Sequence, residues 1–404
     1  MHSRPFLRVA APVLIGALAL TACGSKKENT GSGNKTLTIG VIAPLSGDLS
    51  AVGLGIKNGV DLAINQANAA KTVKGYTLKL DAEDDAATPD TGATAATKLV
   101  SDASVVGIVG PLNSSVARAV APVTSKANLT LISPSNSGID LTGRDLLVAG
   151  KTQVRPYKAY FRVVATDDIQ GPFAADYAVK TLGKKLIAIV HDKKAYGQGL
   201  ATAFKTQAEK DGAKTLPIET VTPGDKDFSG VITKIKPLKP DFLFYGGEYP
   251  EASLLTSQMK AAGLNIPLMG GDGIDSGEYI KTAKAAANGD LATSLGAPTD
   301  SLDSAKQFVT DYKAAAYKED YNPYGAYAFD AANAIIKALA KAATEGKSGQ
   351  ELRDEVTKEV QDISFDGVTG PISFDQFGDT NSKVLTVYEI KAGKFVAVKT
   401  DTFK

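Results

Sequence analysis

Tryptophan is absent from this 404-residue sequence, cysteine occurs once, histidine twice and methionine three times. A lone cysteine, Cys23, excludes a disulfide within the chain. His2 and His191 are too few for a multi-histidine zinc site, and only His191 survives if the N-terminal leader is removed. No sign of charge dominates: 45 Lys and Arg stand against 44 Asp and Glu. Losing Arg4 and Arg8 with the leader turns a formal charge of +1 into −1. A near-neutral chain without a basic block is not built for nucleic acid. Long apolar runs are missing too, and nothing after the leader could span a bilayer. What is present is ordinary for a globular protein, 43% hydrophobic and 22% charged residues, in a length that suits two or three domains.

Arg4 and Arg8 precede an apolar run from Val9 to Leu20. At about a dozen residues it is too short for a membrane span and has the form of a secretory signal. Leu20-Thr21-Ala22-Cys23-Gly24 follows and resembles the lipobox of bacterial lipoproteins. That resemblance implies cleavage after Ala22 and a lipid anchor on Cys23. Residues 24–35 contain no apolar side chain, so residues 23–35 read as the lipidated cysteine and a flexible tether. As a random coil the tether would reach on the order of 20 Å. The alternative is a plain secretory signal with an incidental cysteine.

From Thr36 short β-branched runs alternate with helical patterns. Strands are expected at 37–42, 77–81, 105–109 and 129–132, and helices at 55–70, 88–101 and 115–126. A second series places helices at 171–182, 197–211, 227–236 and 250–262, and strands at 186–190, 214–221, 242–245 and 267–269. Helices at 302–319, 325–345 and 348–360 come next, then a hairpin over 384–398 turning near Ala392-Gly393. This βαβα order predicts an α/β fold of two doubly wound, Rossmann-like lobes.

In such sheets ligands bind beyond the carboxyl ends of the strands, near helix N-termini. In the first series those positions hold Ser46-Gly47, Pro111 to Ser115 and Ser133 to Ser137, small hydroxyl and glycine residues suited to an anion. In the second they hold His191 to Tyr196, Gly246 to Tyr249 and Gly270 to Asp272, aromatic and acidic residues suited to a cation. Together they suggest a zwitterion held between two lobes.

Ala43-Pro-Leu-Ser-Gly47, Ile132-Ser-Pro134, Gln170-Gly-Pro172, the segment from His191 to Gly199, Asp225-Lys-Asp-Phe228, Tyr245-Gly-Gly247 and Gly370-Pro371 occur in that order. They resemble the branched-chain amino acid (Leu/Ile/Val)-binding proteins of ABC transporters, which have the type I periplasmic binding protein fold. The resemblance spans about 36–398 and implies two lobes joined by three hinge crossings that close on the ligand. It implies an N-terminal lobe of 36–166 plus 298–375 and a C-terminal lobe of 167–297 plus 376–404.

The resemblance also implies site residues. Ser114 would donate to the ligand carboxylate, Ser135 would offer backbone contacts, and Ser137 would meet both ammonium and carboxylate. Asp272 would pair with the ammonium; it stands where the family has the longer Glu. Tyr196 and Tyr324 would be contributed on closure, and Asp167 is a polar hinge-side position. Val52 replaces a Trp that covers an aliphatic ligand, and Glu248 replaces a pocket Tyr. Ala87 and Asn113 stand where the family has paired cysteines. A carboxylate at 248 in an apolar pocket is costly unless paired or protonated. Either Glu248 points away, or the ligand is polar or cationic.

Blander readings stand beside these. Ser114 and Ser115 could be helix caps, Asp272 a turn residue, Glu248 a helix-start acid, and Tyr196 and Tyr324 packing residues. His191 with Asp192 lacks a nucleophile motif, which leaves His191 a structural role. Glu83-Asp84-Asp85 does not have calcium-loop spacing and reads as a solvated or hinge-facing acidic turn. Gly53-x-Gly55 with Gly59 is no nucleotide fingerprint. The expectation is therefore an extracytoplasmic, lipid-anchored, monomeric solute-binding protein without enzymatic activity, cofactor or metal. Its partners would be a free amino acid, aliphatic first, and an ABC permease. The alternatives are a polar or basic amino acid, urea or an amide, an aromatic acid, or a sensor built on the same fold.

Overall fold

The computed structural model describes residues 35–403 apart from Asn322 and Glu345. The expected leader, the anchor at Cys23 and nearly all of the tether lie outside the described residues. The first series comprises β1 (Lys35–Ala43), α1 (Ser50–Ala70), β2 (Tyr76–Asp84), α2 (Pro89–Ser101), β3 (Val105–Val109), α3 (Ser114–Lys126), β4 (Leu131–Ser133), α4 (Arg144–Val148) and β5 (Tyr160–Arg162). The second comprises α5 (Asp167–Asp176), β6 (Leu186–His191), α6 (Ala195–Lys210), β7 (Lys214–Thr215), β8 (Glu219–Thr220), α7 (Ser229–Ile235), β9 (Phe242–Gly246), α8 (Tyr249–Ala261), β10 (Leu268–Gly270), α9 (Gly277–Ala283) and β11 (Leu291–Ser294). Then come α10 (Lys306–Ala314), α11 (Tyr324–Ala343), α12 (Gly349–Gln361), β12 (Ser364–Gly367), β13 (Gly370–Ser373), β14 (Val384–Lys391) and β15 (Lys394–Thr402).

Strands β2-β1-β3-β4-β5 form one parallel sheet. The other runs β15-β14-β11-β10-β9-β6-β7, parallel from β6 to β11, with β14 and β15 antiparallel at one edge. The central strands β3 and β9 are buried throughout, which is why they read as unbroken apolar runs rather than alternating ones. The chain leaves the first sheet after β5 and the second after β11. Helices α11 and α12 pack back on α1, β3 and β4, and the chain re-enters the second sheet at β14.

Several boundaries differ from the sequence expectation. Helix α1 starts at Ser50, not Gly55; Gly53 and Gly55 lie inside its first turns, where a Cβ would meet the carbonyl oxygens of Pro44 (1.9 Å) and Asp320 (2.7 Å). Farther along α1, a Cβ on Gly59 would lie 2.1 Å from the Gly325 carbonyl oxygen of α11, so glycine permits this helix crossing. Helix α5 starts at Asp167, with Gly171 and Pro172 inside it. The expected strand 214–221 is broken into β7 and β8, with Pro217 between them. The expected helix 302–319 is α-helical only over Lys306–Ala314. Short β5 and β11, wholly buried, carry no alternation to betray them. The C-terminal hairpin turns at Ala392 and Gly393, both at positive φ (49° and 72°), as a two-residue primed turn requires.

Of the acidic turn, expected to be solvated or hinge-facing, Glu83 and Asp84 are partly exposed and only Asp85 is buried. Asp84 Oδ1 accepts from the N–H groups of Leu45 (2.9 Å) and Ala86 (2.8 Å), and Asp85 is fully buried. Arg162, at the end of β5, is also fully buried. Its Nε donates to Asp379 Oδ1 (2.6 Å), and its other nitrogens donate to the carbonyls of Asn136 and Gly138 and to Thr142 Oγ1. This cation ties the loop after β4 to the segment that returns toward β14.

Candidate functional site

The carboxyl ends of both sheets face one cavity with about 440 Å³ of atom-free space. On the first-sheet side Leu49 and Val52 come from the start of α1, Leu112, Asn113 and Ser114 from the start of α3, Ser135 from the loop after β4, and Tyr324 from the first residue of α11. On the other side Tyr196 comes from α6, Glu248 and Tyr249 from the start of α8, and Asp272 to Ser276 from the loop after β10. Val52, Ser114, Ser135, Tyr196, Glu248, Asp272 and Tyr324 thus share one wall-lined space.

Asp272 is the hub. Its Oδ1 accepts from the Tyr196 hydroxyl (2.8 Å) and Gln170 Nε2 (3.0 Å), and its Oδ2 from the Tyr324 hydroxyl (2.6 Å). Burial pushes this carboxyl up, and the three donors hold it down. Its own backbone N–H lowers it as well. The Tyr196 ring reaches the loop because residue 271 is glycine: a Cβ there would lie 2.3 Å from the Tyr196 hydroxyl and 2.4 Å from Leu200 Cδ2. Asp275, three residues on, also lines the cavity, and desolvation pushes its carboxyl up to about 7.

The opposite wall carries the α3 N-terminus. Asn113 stands at the cap position but its side chain makes no capping bond. Its Nδ2 donates instead to Glu248 Oε1. The first-turn N–H groups of α3 have no partner within the helix and carry its partial positive charge. Ser114 Oγ accepts from the Gly138 N–H (3.2 Å). Ser135 Oγ donates to the Leu112 carbonyl (3.0 Å), bracing the loop that follows the cis Gly110–Pro111 peptide. Glu248 Oε2 pairs with Lys194 Nζ, so its charge is compensated before any ligand arrives. Three carboxylates, Glu248, Asp272 and Asp275, line the cavity, and no Lys, Arg or His among the described residues does.

Ser137 and Asp167 do not line this cavity. The Asp167 N–H donates to the Ser137 carbonyl (2.9 Å), and Asp167, at the first position of α5, faces a separate groove instead. His191 Nδ1 accepts from the Lys193 N–H (3.0 Å), and burial together with the Lys193 charge lowers its pKa.

A family model described as periplasmic binding protein matches residues 36–394. The chain belongs to the periplasmic binding protein family. The Leu/Ile/Val-binding protein BraC3 of Rhizobium johnstonii is 35% identical over 365 residues, 90% of this chain and 94% of that protein. Among solved structures, the leucine-binding protein LivK of Thermotoga maritima superposes with a TM-score of 0.79 at 25% identity, covering 90% of this chain and 98% of that one. LivJ of Streptococcus pneumoniae, a branched-chain amino acid transporter substrate-binding protein solved with isoleucine, superposes with a TM-score of 0.78 at 27% identity, covering 91% and 99%. The fold is therefore the type I periplasmic binding protein fold, and family membership implies an extracytoplasmic location.

In this periplasmic binding protein several lining or supporting residues escaped the sequence reading. Lys194 and Gln170 were visible only as parts of motifs, with nothing to say that one pairs with Glu248 and the other with Asp272. Tyr249 also bridges the two sides, donating its hydroxyl to the Asp48 carbonyl. Asp275 had a signal, since it lies one short turn beyond Asp272 in the same loop. Leu112 lay within the strand-end stretch Pro111 to Ser115, whereas Leu49 and Ser276 had no signal. Among the described residues no helix is long and apolar enough to cross a membrane.

Proposed function

We propose that this protein is the lipid-anchored solute-binding component of an ABC importer and takes a free branched-chain amino acid, Leu, Ile or Val, between its lobes. One observation carries the reading: a small cavity with uncompensated carboxylates on one wall and an uncapped helix N-terminus on the other, which complements a zwitterion. The ligand ammonium meets Asp272, with Asp275 nearby, and its carboxylate meets the first turn of α3 and Ser114. Leu49, Val52, Leu112 and the Tyr249 ring receive an aliphatic side chain. Ser135 braces the loop, and Tyr196 and Tyr324 hold Asp272 in place; the reading gives Ser137 and Asp167 no contact with the ligand.

The closing bodies are 36–166 plus 298–375 and 167–297 plus 376–404. A ligand that touches both shifts the open–closed equilibrium toward the closed form, which the membrane permease then recognises. Cys23 carries the lipid that keeps the monomer at the outer face of the cytoplasmic membrane. Binding and release are the whole activity, without cofactor or covalent step. The Glu248–Lys194 pair removes the reason to require a basic ligand, and this favours an aliphatic one.

Calorimetric titration with the twenty amino acids, urea, small amides and aromatic acids tests the proposal. Leu, Ile or Val should bind at about micromolar Kd, near −8 kcal/mol. Binding of only a basic or polar compound would overturn the ligand assignment, and binding of none would overturn the amino-acid reading.

A further inference from the structure

Two residues at helix starts do not do what their positions suit them for. Asn113 precedes α3 and Glu248 precedes α8, each at the cap position, and neither side chain bonds to its own helix. Asparagine is among the best capping residues, so leaving that bond unmade costs stability. The two side chains meet each other instead: Asn113 Nδ2 donates to Glu248 Oε1. Asn113 is 4% exposed and Glu248 7%, so the bond is made away from water.

Glu248 is also held from its own side. Its Oε2 accepts from Nζ of Lys194, the residue before α6. Burial lowers the Lys194 ammonium and the Glu248 charge raises it, with the net shift upward, so Lys194 keeps its proton. The next residue, Tyr249, crosses to a different element. Its hydroxyl donates to the carbonyl of Asp48, two residues before α1. Tyr249 lines both the cavity and a solvent-open groove whose wall includes Asp48, so this bond stands at the boundary between the two spaces. Lys226 also approaches Asp48 (3.2 Å), but the two side chains are 66% and 64% exposed, where an ion pair contributes little.

We propose that Glu248 is a positioning residue for closure: anchored by Lys194, it clasps Asn113 across the cleft and, with the Tyr249–Asp48 bond, holds the two sides together over the bound amino acid without itself contacting it. This rests on the two-lobe trap proposed above. The crossing bonds exist only while the sides are together, so they stabilise the closed form alone. Bound ligand leaves after they break, whereas entry takes place in the open form. The clasp therefore slows release and leaves entry unchanged. Its effect is the same for Leu, Ile and Val, because it does not reach their side chains.

A double-mutant cycle on the whole protein tests this, with Asn113→Ala, Glu248→Ala and the two combined. Asn113→Ala removes the crossing bond and keeps the Glu248–Lys194 pair, so it carries the test even where Glu248→Ala, which strands Lys194, folds poorly. Stopped-flow tyrosine fluorescence follows binding of Leu, Ile and Val, with no tryptophan in the sequence to mask it. Each single variant should weaken all three ligands by one common factor, about tenfold for a hydrogen bond to a charged group, through faster dissociation. The double variant should lose no more than the weaker-binding single one. The ligand-free protein gives an independent readout: amide hydrogen exchange over 46–54 and 112–118 should quicken in both single variants while β3 and β9 stay protected. Unchanged exchange, additive losses, losses that differ between the ligands by more than about threefold, or a loss carried by association would overturn the proposal. If the wild-type protein binds no amino acid, the ligand reading of the cavity fails, and the exchange result alone decides the clasp.

Discussion

Asp272→Asn separates the charge of the cavity hub from its shape. In the wild-type protein the carboxylate accepts from Tyr196, Gln170 and Tyr324. Asparagine keeps the volume; its Oδ1 can still accept from Tyr196 and Gln170, and its amide can donate to the Tyr324 hydroxyl. A neutral group also escapes the desolvation that raises the Asp272 carboxyl. The folded state should therefore change by no more than about 1 kcal/mol. The ligand ammonium, by contrast, loses its ion-pair partner in a desolvated site. Removing one partner of such a pair typically costs 2–5 kcal/mol, so a loss of about 3 kcal/mol, or roughly 100-fold in Kd for isoleucine, is expected. Calorimetry gives the affinity, and thermal unfolding without ligand gives the control. A variant that melts like wild type and binds isoleucine within about threefold would refute the assignment of Asp272 to the ammonium.

Other substitutions probe the scaffold. Gly271→Ala drives a methyl into the Tyr196 hydroxyl and Leu200 and should destabilise by about 1–3 kcal/mol, seen as a lower unfolding midpoint with weakened isoleucine binding. Arg162→Met removes the shortest ion pair of Asp379, 4% exposed, leaving it the longer contact to Arg144 (3.7 Å), and should cost about 3 kcal/mol in denaturant unfolding; a loss below about 1 kcal/mol would count against a central role for that cation. Burial holds the Asp192 carboxyl up to about 7 against an ordinary 3.8. Between those values the folded chain keeps a proton that the unfolded chain has lost, so this group makes stability fall as pH rises from about 4 to 7. Asp192→Asn should flatten that slope in unfolding midpoints measured across the window, and an unchanged slope would place the pH dependence elsewhere.

Local chemistry and pattern were enough for the α/β class, for the order of the longer strands and helices, and for the hairpin. Apolar runs at strand length, helical spacing and the Ala392-Gly393 turn are written in neighbouring residues, so no distant contact is needed to read them. The same holds for the strand ends around the candidate site, because the topology of a doubly wound sheet places them. Partner choice is different. That Glu248 would meet Lys194 and Asn113, and that Asp272 would gather Tyr196, Gln170 and Tyr324, depend on residues 52 to 135 positions apart in the chain. Glu248 alone posed a cost that could be met by pointing away or by a polar ligand. Only the folded chain supplied the third solution, an ammonium brought beside it by the start of α6. Burial works the same way: an aspartate reads as charged until packing removes its water, and packing is a property of the whole fold.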